Sequence, residues 1–429
     1  MKLTRRAVLL ILPCVIGLQG VLATTAKSSG YEVVFEKSYR SKDATYARVH
    51  SLVKTRDGGY AFSGQGYASW AWVVKTDAAG VKEWEAHISG SRWSDQDAFV
   101  VMDAPEGGLL IGGKTNSHDM VPGNWGDDGT PRFPYQYRKT PTVAFAARFD
   151  RRGRLLWRKA YGKMRDRRDV AEFYCGTSLS DGFLMIGRRS ATVGDSPPRY
   201  IIALWIVKLS LNGEVAWERS VTEDGGDLVN PNYHYGHYCT TPIVGAGDEI
   251  TFAVGMEKTP DGPYVNPPRF VLVMSFDRAG NELARARIDG GIFPEIGKTQ
   301  DGLALLDQLL LREQRLQRTF FDRTLHVTGR SDVKLDGYAF AVKAAVASTR
   351  GDFHLAGNYV LPPYERGRAA IGYLPRSGGL EDLRKFGLPF FDWGDITAAA
   401  PGATPDEVVL LRQGGRHDDV GIVKLKLND

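Results

Sequence analysis

The chain has 429 residues, of which 11% are aromatic and 24% charged, with 49 glycines and 21 prolines. Its formal net charge of +5 falls to +2 once Lys2, Arg5 and Arg6 are removed with the N-terminal leader. Because the net charge is small and the sequence has no basic run, we do not expect nucleic acid to be a partner. No later segment approaches the roughly 20 apolar residues of a membrane-spanning helix, so we expect no membrane span.

The first residues have the pattern of an export signal. Lys2, Arg5 and Arg6 precede an apolar run over 7–18, and small residues end at Ala23. This pattern predicts a signal peptide over 1–23 and a mature chain, 24–429, that is secreted or periplasmic. A twin-arginine signal around Arg5 and Arg6 remains an alternative route of export.

The rest of the chain repeats one unit of two hairpins seven times. The first hairpin consists of an apolar strand, an Asp-Gly turn and a second apolar strand that ends in Gly. The second hairpin consists of a strand such as WVVKTD, a Gly turn and a strand with Trp. The clearest first hairpin is Asp169–Ser190, with its turn at Asp181-Gly182. Four short strands about every 45 residues predict an all-β fold, a seven-bladed β-propeller of four-stranded antiparallel blades in one domain, 24–429.

The two ends of the mature chain complement each other. The seventh copy lacks its outermost strand, and residues 31–39, YEVVFEKSY, resemble that missing strand. We therefore expect the N-terminal strand to complete the last blade, which would close the ring and remove an exposed sheet edge.

The insertions predict where function lies. Loops that follow the second and fourth strands of an antiparallel blade leave on one face of the disc. The long segments fall at these places, at 114–141, 188–199, 223–236, 257–268 and 359–368. Because loops on a rigid scaffold commonly carry function, we expect the functional site on this face, here named the insertion face.

Chemically capable residues gather at the same face. His118 follows the second strand of blade two, Tyr174 is expected to open the inner strand of blade three, and Arg188 and Arg189 are expected to end its second strand. A Tyr- and His-rich segment, Tyr233–Cys239, leads into blade four. Imidazole, phenol and guanidinium on one concave surface can abstract a proton beside a carboxylate.

These patterns resemble the secreted bacterial propellers with DGG-type repeats and, more narrowly, the propeller-type ulvan lyases, a family of polysaccharide lyases. The resemblance implies His118, Tyr174 and Arg189 as catalytic residues, and we add Asn116, Arg188 and Tyr235 as candidate substrate contacts. A second His of that family is missing, since Tyr135, Gln136, Tyr137 and Arg138 occupy its region. The division of acid and base roles between His118 and Tyr174 therefore stays open.

The implied reaction is β-elimination at a uronic acid of an acidic polysaccharide such as ulvan. Arg189 would neutralise the uronate carboxylate, and His118 and Tyr174 would transfer the protons. We expect a monomer. The alternative function is a non-catalytic secreted propeller that binds glycans or cell-envelope proteins through the same face.

Two cysteines of the mature chain allow three arrangements. Cys175 and Cys239 open the inner strands of neighbouring blades, and His234 and His237 precede Cys239. These four residues suit a structural zinc ion, which the resemblance also implies. A disulfide or two free thiols are the alternatives. A direct link between the cysteines is expected to need the two strands out of register.

Overall fold

The computed structural model describes residues 31–41, 47–66, 69–88, 95–116, 142–162, 170–193, 199–221, 239–257, 269–290, 293–308, 315–334, 339–347, 352–361, 365–374, 394–414 and 420–427. No helix among them is long and apolar enough to cross a bilayer. Within these ranges, twenty-seven strands form seven antiparallel sheets, which are the blades of a β-propeller. The fold predicted from the repeat is confirmed.

Each of the first three blades has four strands in sequential order, from the inner strand at the axis to the outer strand at the rim. Blade one contains β2 (Arg48–Lys54), β3 (Tyr60–Gln65), β4 (Ala71–Thr76) and β5 (Lys82–Ile88). Blade two contains β6 (Gln96–Asp103), β7 (Leu109–Thr115), β8 (Val143–Phe149) and β9 (Leu155–Tyr161). Blade three contains β10 (Ala171–Leu179), β11 (Gly182–Val193), β12 (Arg199–Ser210) and β13 (Val215–Val221).

The next blades follow the same order. Blade four contains β14 (Ile243–Val244), β15 (Ile250–Glu257), β16 (Arg269–Phe276) and β17 (Glu282–Asp289). Blade five contains β18 (Phe293–Lys298), β19 (Leu303–Gln308), β20 (Arg315–Phe321) and β21 (Val327–Lys334). Blade six shows β22 (Ala339–Ala347), β23 (Phe353–Leu361) and β24 (Glu365–Leu374). Its predicted outer strand, within 375–387, lies outside the described residues.

The chain ends share blade seven. Its inner strands are β25 (Gly394–Pro401), β26 (Glu407–Gly414) and β27 (Val420–Leu427). The outer strand is β1 (Tyr31–Tyr39), which pairs antiparallel with β27 from Tyr31 opposite Leu427 to Tyr39 opposite Val420. The predicted completion of the last blade by the N-terminal strand is confirmed.

Apolar cores lie between the blades, because each middle strand buries both of its faces. On β12, Leu204 and Ile206 pack toward blade four, whereas Trp205 and Val207 pack toward blade two. Alternate side chains of a strand point to opposite faces, so a run of apolar residues fills two interfaces at once. Each of the seven pairs of neighbouring blades shares one such cluster.

Two predicted insertions are extended hairpins. Strand β11 continues to Val193, opposite Arg199 on β12, and on β23 Tyr359 still pairs with Arg368 of β24. Arg188 and Arg189 therefore lie within β11, and the prediction that they end the second strand of blade three was wrong. The backbone alternation of a strand consequently separates their side chains to opposite faces.

Candidate functional site at the mouth of the central channel

The inner strands surround a cavity of ≈ 400 Å³ on the propeller axis. Seven residues at one ladder level form a ring around it, one from each blade. They are Ser51, Val100, Cys175, Cys239, Glu295, Ala344 and Ala398. Small side chains dominate this ring, which leaves the channel open at its level.

A β-bulge immediately precedes the ring residue in five of the inner strands. The residues skipped by the pairing are His50, Phe99, Tyr174, Lys343 and Thr397. A bulge leaves one residue unpaired and re-aims its side chain. His50, Phe99 and Tyr174 all line the cavity. The bulges therefore bring three rings from blades one to three to the insertion-face end of the channel.

Tyr174 is tied to a buried ion pair. Its hydroxyl donates a hydrogen bond to Oε2 of Glu172. Arg188 donates to the same oxygen through Nε at 3.0 Å, and its Nη2 lies 2.9 Å from it. The guanidinium also lies 5.7 Å from the centre of the Tyr174 ring. The phenol, the carboxylate and the guanidinium therefore lie together. They meet because Glu172 pairs with Arg188 across the ladder and Tyr174 lies at the adjacent bulge.

The Glu172 carboxylate stays charged despite its burial. Burial raises the pKa of this carboxyl, but Arg188, Lys114 and the Tyr174 hydroxyl outweigh it and hold the pKa below its usual value. Lys114, on β7, is itself 3.2 Å from Asp95. Burial lowers the pKa of Lys114, yet Asp95, Glu172 and Asp97 raise it above its ordinary value. Cations and anions therefore alternate across blades two and three.

Arg189 does not join Tyr174. Its Nη1 donates to Glu218 on the outer strand β13 at 3.1 Å, and its guanidinium lies 5.5 Å from the centre of the Trp205 ring. The expected pairing of Arg189 with Tyr174 fails because neighbouring residues on a strand face opposite ways. Arg188, predicted as a substrate contact, is the arginine beside the phenol, with its side chain only 7% exposed.

His50 holds the corresponding place on blade one. Its Nε2 lies 2.9 Å from Oδ1 of Asp97, whose side chain is 4% exposed. The His50 ring packs edge-on to Phe99 with centroids 5.0 Å apart, and Phe99 contacts Tyr174 at 5.4 Å. Imidazole and phenol therefore flank one phenylalanine at the channel mouth.

Asn116 supports the site from behind. Its side-chain Oδ1 accepts a hydrogen bond from the Asp95 backbone N–H at 2.7 Å, and its backbone N–H donates to the Asp95 carbonyl at 3.3 Å. The side chain is buried. Asn116 thus holds the entry to β6. His118 and Tyr235, predicted as a catalytic residue and a substrate contact, lie outside the described residues.

Cys175 and Cys239 form a disulfide, with Cα atoms 5.9 Å apart. They occupy the same ladder level on adjacent blades, so the expectation that a link needs strands out of register was wrong. Inner strands near the axis approach closely enough without a shift. Disulfide sulfurs are not thiolates, so in this form neither cysteine fits a zinc site. His234 and His237 lie outside the described residues, and zinc stays a prediction.

Sequence reasoning missed His50, Asp97, Lys114 and Glu172. A signal for three of them exists in the repeat. When the copies are aligned on the ring residues, RVH, DAF and EFY superimpose, with a charged residue two positions before each bulge. Lys114 has no such signal, since only the lateral packing of blades two and three brings it near Glu172.

No protein-family model matches the chain. No curated protein matches it either. Among solved structures, it is similar to a Trypanosoma rangeli sialidase at 10% identity and a TM-score of 0.42, covering 91% of this chain. The chain spans 59% of the length of that sialidase. A neuraminidase-like protein of A/flat-faced bat/Peru has 10% identity and a TM-score of 0.38, with 92% of this chain and 94% of that one covered.

A eukaryotic initiation factor is also similar, at 10% identity and a TM-score of 0.36, with 89% of this chain and 90% of the other covered. These three similarities are too distant to bear on activity. The seven-bladed fold rests on the sheet topology of the chain itself.

Proposed function

We propose that the protein is an exported polysaccharide lyase that cleaves a uronate-containing polysaccharide by β-elimination at the insertion-face mouth of the channel. One observation carries the proposal: the Tyr174 phenol lines the cavity with the Arg188 guanidinium 5.7 Å from its ring. A phenol transfers protons readily only where a nearby cation stabilises its anion, because its ordinary pKa is about 10.

In this proposal, Tyr174 exchanges a proton with the sugar or with the leaving oxygen. Glu172 fixes the phenol by accepting its hydrogen bond, and Arg188 fixes Glu172. The cations nearest to this group, Arg188 and Lys114, take over the role expected of Arg189. They offset the uronate carboxylate and thereby make the adjacent C5 proton more acidic. Phe99 offers an apolar surface for the sugar ring between the flanking side chains.

The disulfide supports export. Disulfides persist in oxidising compartments outside the cytosol, in agreement with the signal peptide predicted over 1–23. We accordingly propose a secreted or periplasmic protein. A zinc ion, if bound, would be held by residues outside the described ranges, and elemental analysis of the purified mature chain tests it.

The test of the activity is the appearance of unsaturated, ultraviolet-absorbing chain ends when the mature protein is incubated with ulvan and other uronate polysaccharides. Tyr174→Phe should lower kcat at least about 100-fold, because it removes the transferable proton. Tyr161→Phe is the matched control, since its hydroxyl donates to the Gly213 carbonyl at the rim. Full activity of Tyr174→Phe would remove this residue from the mechanism.

A non-catalytic glycan-binding propeller is the second candidate. It is favoured by the ion pairs that already occupy Arg188 and Arg189, which leave both arginines bonded within the protein. Saturable binding of an acidic polysaccharide without any unsaturated product would establish this alternative in place of the lyase.

A further inference from the structure

We infer that His50, oriented by Asp97, is the base that accepts the C5 proton of the uronate. This inference rests on the proposed lyase function and names a residue outside blades two and three, where sequence patterns place the candidate site. It concerns an imidazole on blade one that lines the same cavity as Tyr174.

The geometry comes from the shared bulge. His50 and Tyr174 are the unpaired residues of equivalent bulges on blades one and three, and Phe99 is their counterpart on blade two. Phe99 contacts both rings, at 5.0 Å and 5.4 Å between centroids. A sugar ring lying on Phe99 would meet an imidazole on one side and a phenol on the other. That is the arrangement in which one group removes a proton and the other supplies one.

Asp97 selects the form of the imidazole. With Nε2 facing the Asp97 carboxylate, 2.9 Å from Oδ1, Nδ1 is the ring nitrogen left to act as the base. Burial raises the pKa of the Asp97 carboxyl, but His50, Lys114 and Arg48 outweigh it and keep the pKa below its usual value. The carboxylate therefore remains an anion that stabilises the imidazolium once the proton has arrived. Asp95 and Glu172 are the further anions that, together with Asp97, surround Lys114.

The elimination balances without a co-reactant. His50 Nδ1 takes the C5 proton, and the electron pair of the C5–H bond forms the C4–C5 double bond. The C4–O bond breaks with its electrons on the leaving oxygen, which takes the Tyr174 hydroxyl proton. The products are an unsaturated uronate end and a free hydroxyl end. Solvent then returns a proton to Tyr174 and removes one from His50.

The test compares His50→Gln with His326→Gln, a histidine whose side chain is 82% exposed on a turn of blade five. We expect His50→Gln to lower kcat at least about 100-fold with little change in KM, and His326→Gln to match the wild type. His50→Gly with added imidazole provides a second readout, because rescue of the rate requires a folded site that lacks only the base.

Asp97→Asn tests the positioning role. Loss of the anion destabilises the imidazolium that forms in the transition state, so kcat should fall while KM changes little, a split that a merely structural role would not produce. An active wild type with His50→Gln within about threefold of it would overturn the inference and leave the lyase standing. Absence of unsaturated product from the wild type would instead remove the proposed function.

Discussion

At the scale of single residues, two consecutive arginines show how burial determines the contribution of an ion pair to stability. Arg188 and Glu172 are 7% and 5% exposed, whereas Arg189 and Glu218 are 34% and 43% exposed. Removing one partner of a buried pair leaves an uncompensated charge in the interior, while an exposed pair is screened by water.

We therefore predict that Arg188→Ala lowers the free energy of unfolding by about 3–5 kcal/mol, because Glu172 is left buried without its partner. Arg189→Ala is the matched control and should cost about 1 kcal/mol or less. Denaturant unfolding of the two variants beside the wild type measures both. Equal losses of unfolding free energy would show that burial adds nothing to the cost of breaking the Arg188–Glu172 pair.

Glu295 is the ionisable side chain of the channel ring. Burial raises the pKa of this carboxyl from 4.5 to about 8, and a hydrogen bond with the Ala345 backbone only partly offsets the effect. Between these values the folded protein binds a proton that the unfolded chain has released. Linkage then requires stability to fall as pH rises through this window, since the unfolded state binds fewer protons.

Glu295→Gln should remove this dependence. Relative to the variant, the wild type is expected to lose roughly 3 kcal/mol or more of unfolding free energy between pH 5 and pH 9. Glu32→Gln, on the exposed outer strand, is the control and should keep the wild-type profile. A constant difference between wild type and Glu295→Gln across this range would mean that the carboxyl ionises as in water.

At the scale of elements, the outer strands fasten neighbouring blades through one recurring contact. Trp157 on β9 covers Gly213 in the last turn of blade three and donates its indole N–H to the Leu211 carbonyl at 3.0 Å. The same contact recurs at Trp84 with Gly153, at Trp217 with Gly280 and, with a phenylalanine, at Phe35 with Gly80.

The interface of blades four and five departs from this pattern at both positions. Leu325 takes the place of the turn glycine at φ 62°, and Ala284 takes the place of the tryptophan and packs against the apolar cluster that contains Leu325. A large turn residue thus accompanies a small partner. The covered glycines have φ of 74–81° where Trp lies above them, and an added Cβ would meet the indole at 2.7–2.8 Å.

This exchange of a large and a small side chain predicts that two substitutions at such an interface partly compensate each other in stability. Gly213→Leu alone should destabilise through a clash with Trp157 and an unfavourable left-handed backbone, and Trp157→Ala alone should leave a cavity worth about 2–4 kcal/mol. Combined, they should cost less than the sum of the single changes, as a double-mutant cycle of unfolding free energies would show. Strict additivity would mean that the two side chains do not meet.

At the scale of the whole molecule, the ring is held shut by a strand from the opposite end of the chain. Strand β1 covers β27 along its full length, and the Tyr39 hydroxyl donates to the Gly80 carbonyl of blade one at 2.6 Å. Without β1, the backbone of β27 would become an open sheet edge, a template for pairing with another copy.

A chain that starts at residue 41 should therefore form oligomers or aggregates and melt at lower temperature than one that starts at residue 31. Size-exclusion chromatography with light scattering and a thermal scan measure these two outcomes. A monodisperse shortened chain with an unchanged Tm would show that blade seven is stable with three strands.

The sequence by itself determined the number of blades, the order of their strands and the closure by β1, because alternating apolar residues and Gly turns are local patterns with a fixed period. It also pointed to blade three, where Tyr174 lines the channel. Only the tertiary structure decided which side chains meet. The bulge in β10, the opposite facing of Arg188 and Arg189, and the lateral packing that brings Lys114 to Glu172 and His50 to Asp97 depend on contacts between strands and between blades. The repeat aligns His50, Phe99 and Tyr174 at one position, but contacts between blades leave no mark on the spacing of residues along the chain. The Cys175–Cys239 link likewise follows from the closeness of inner strands at the axis.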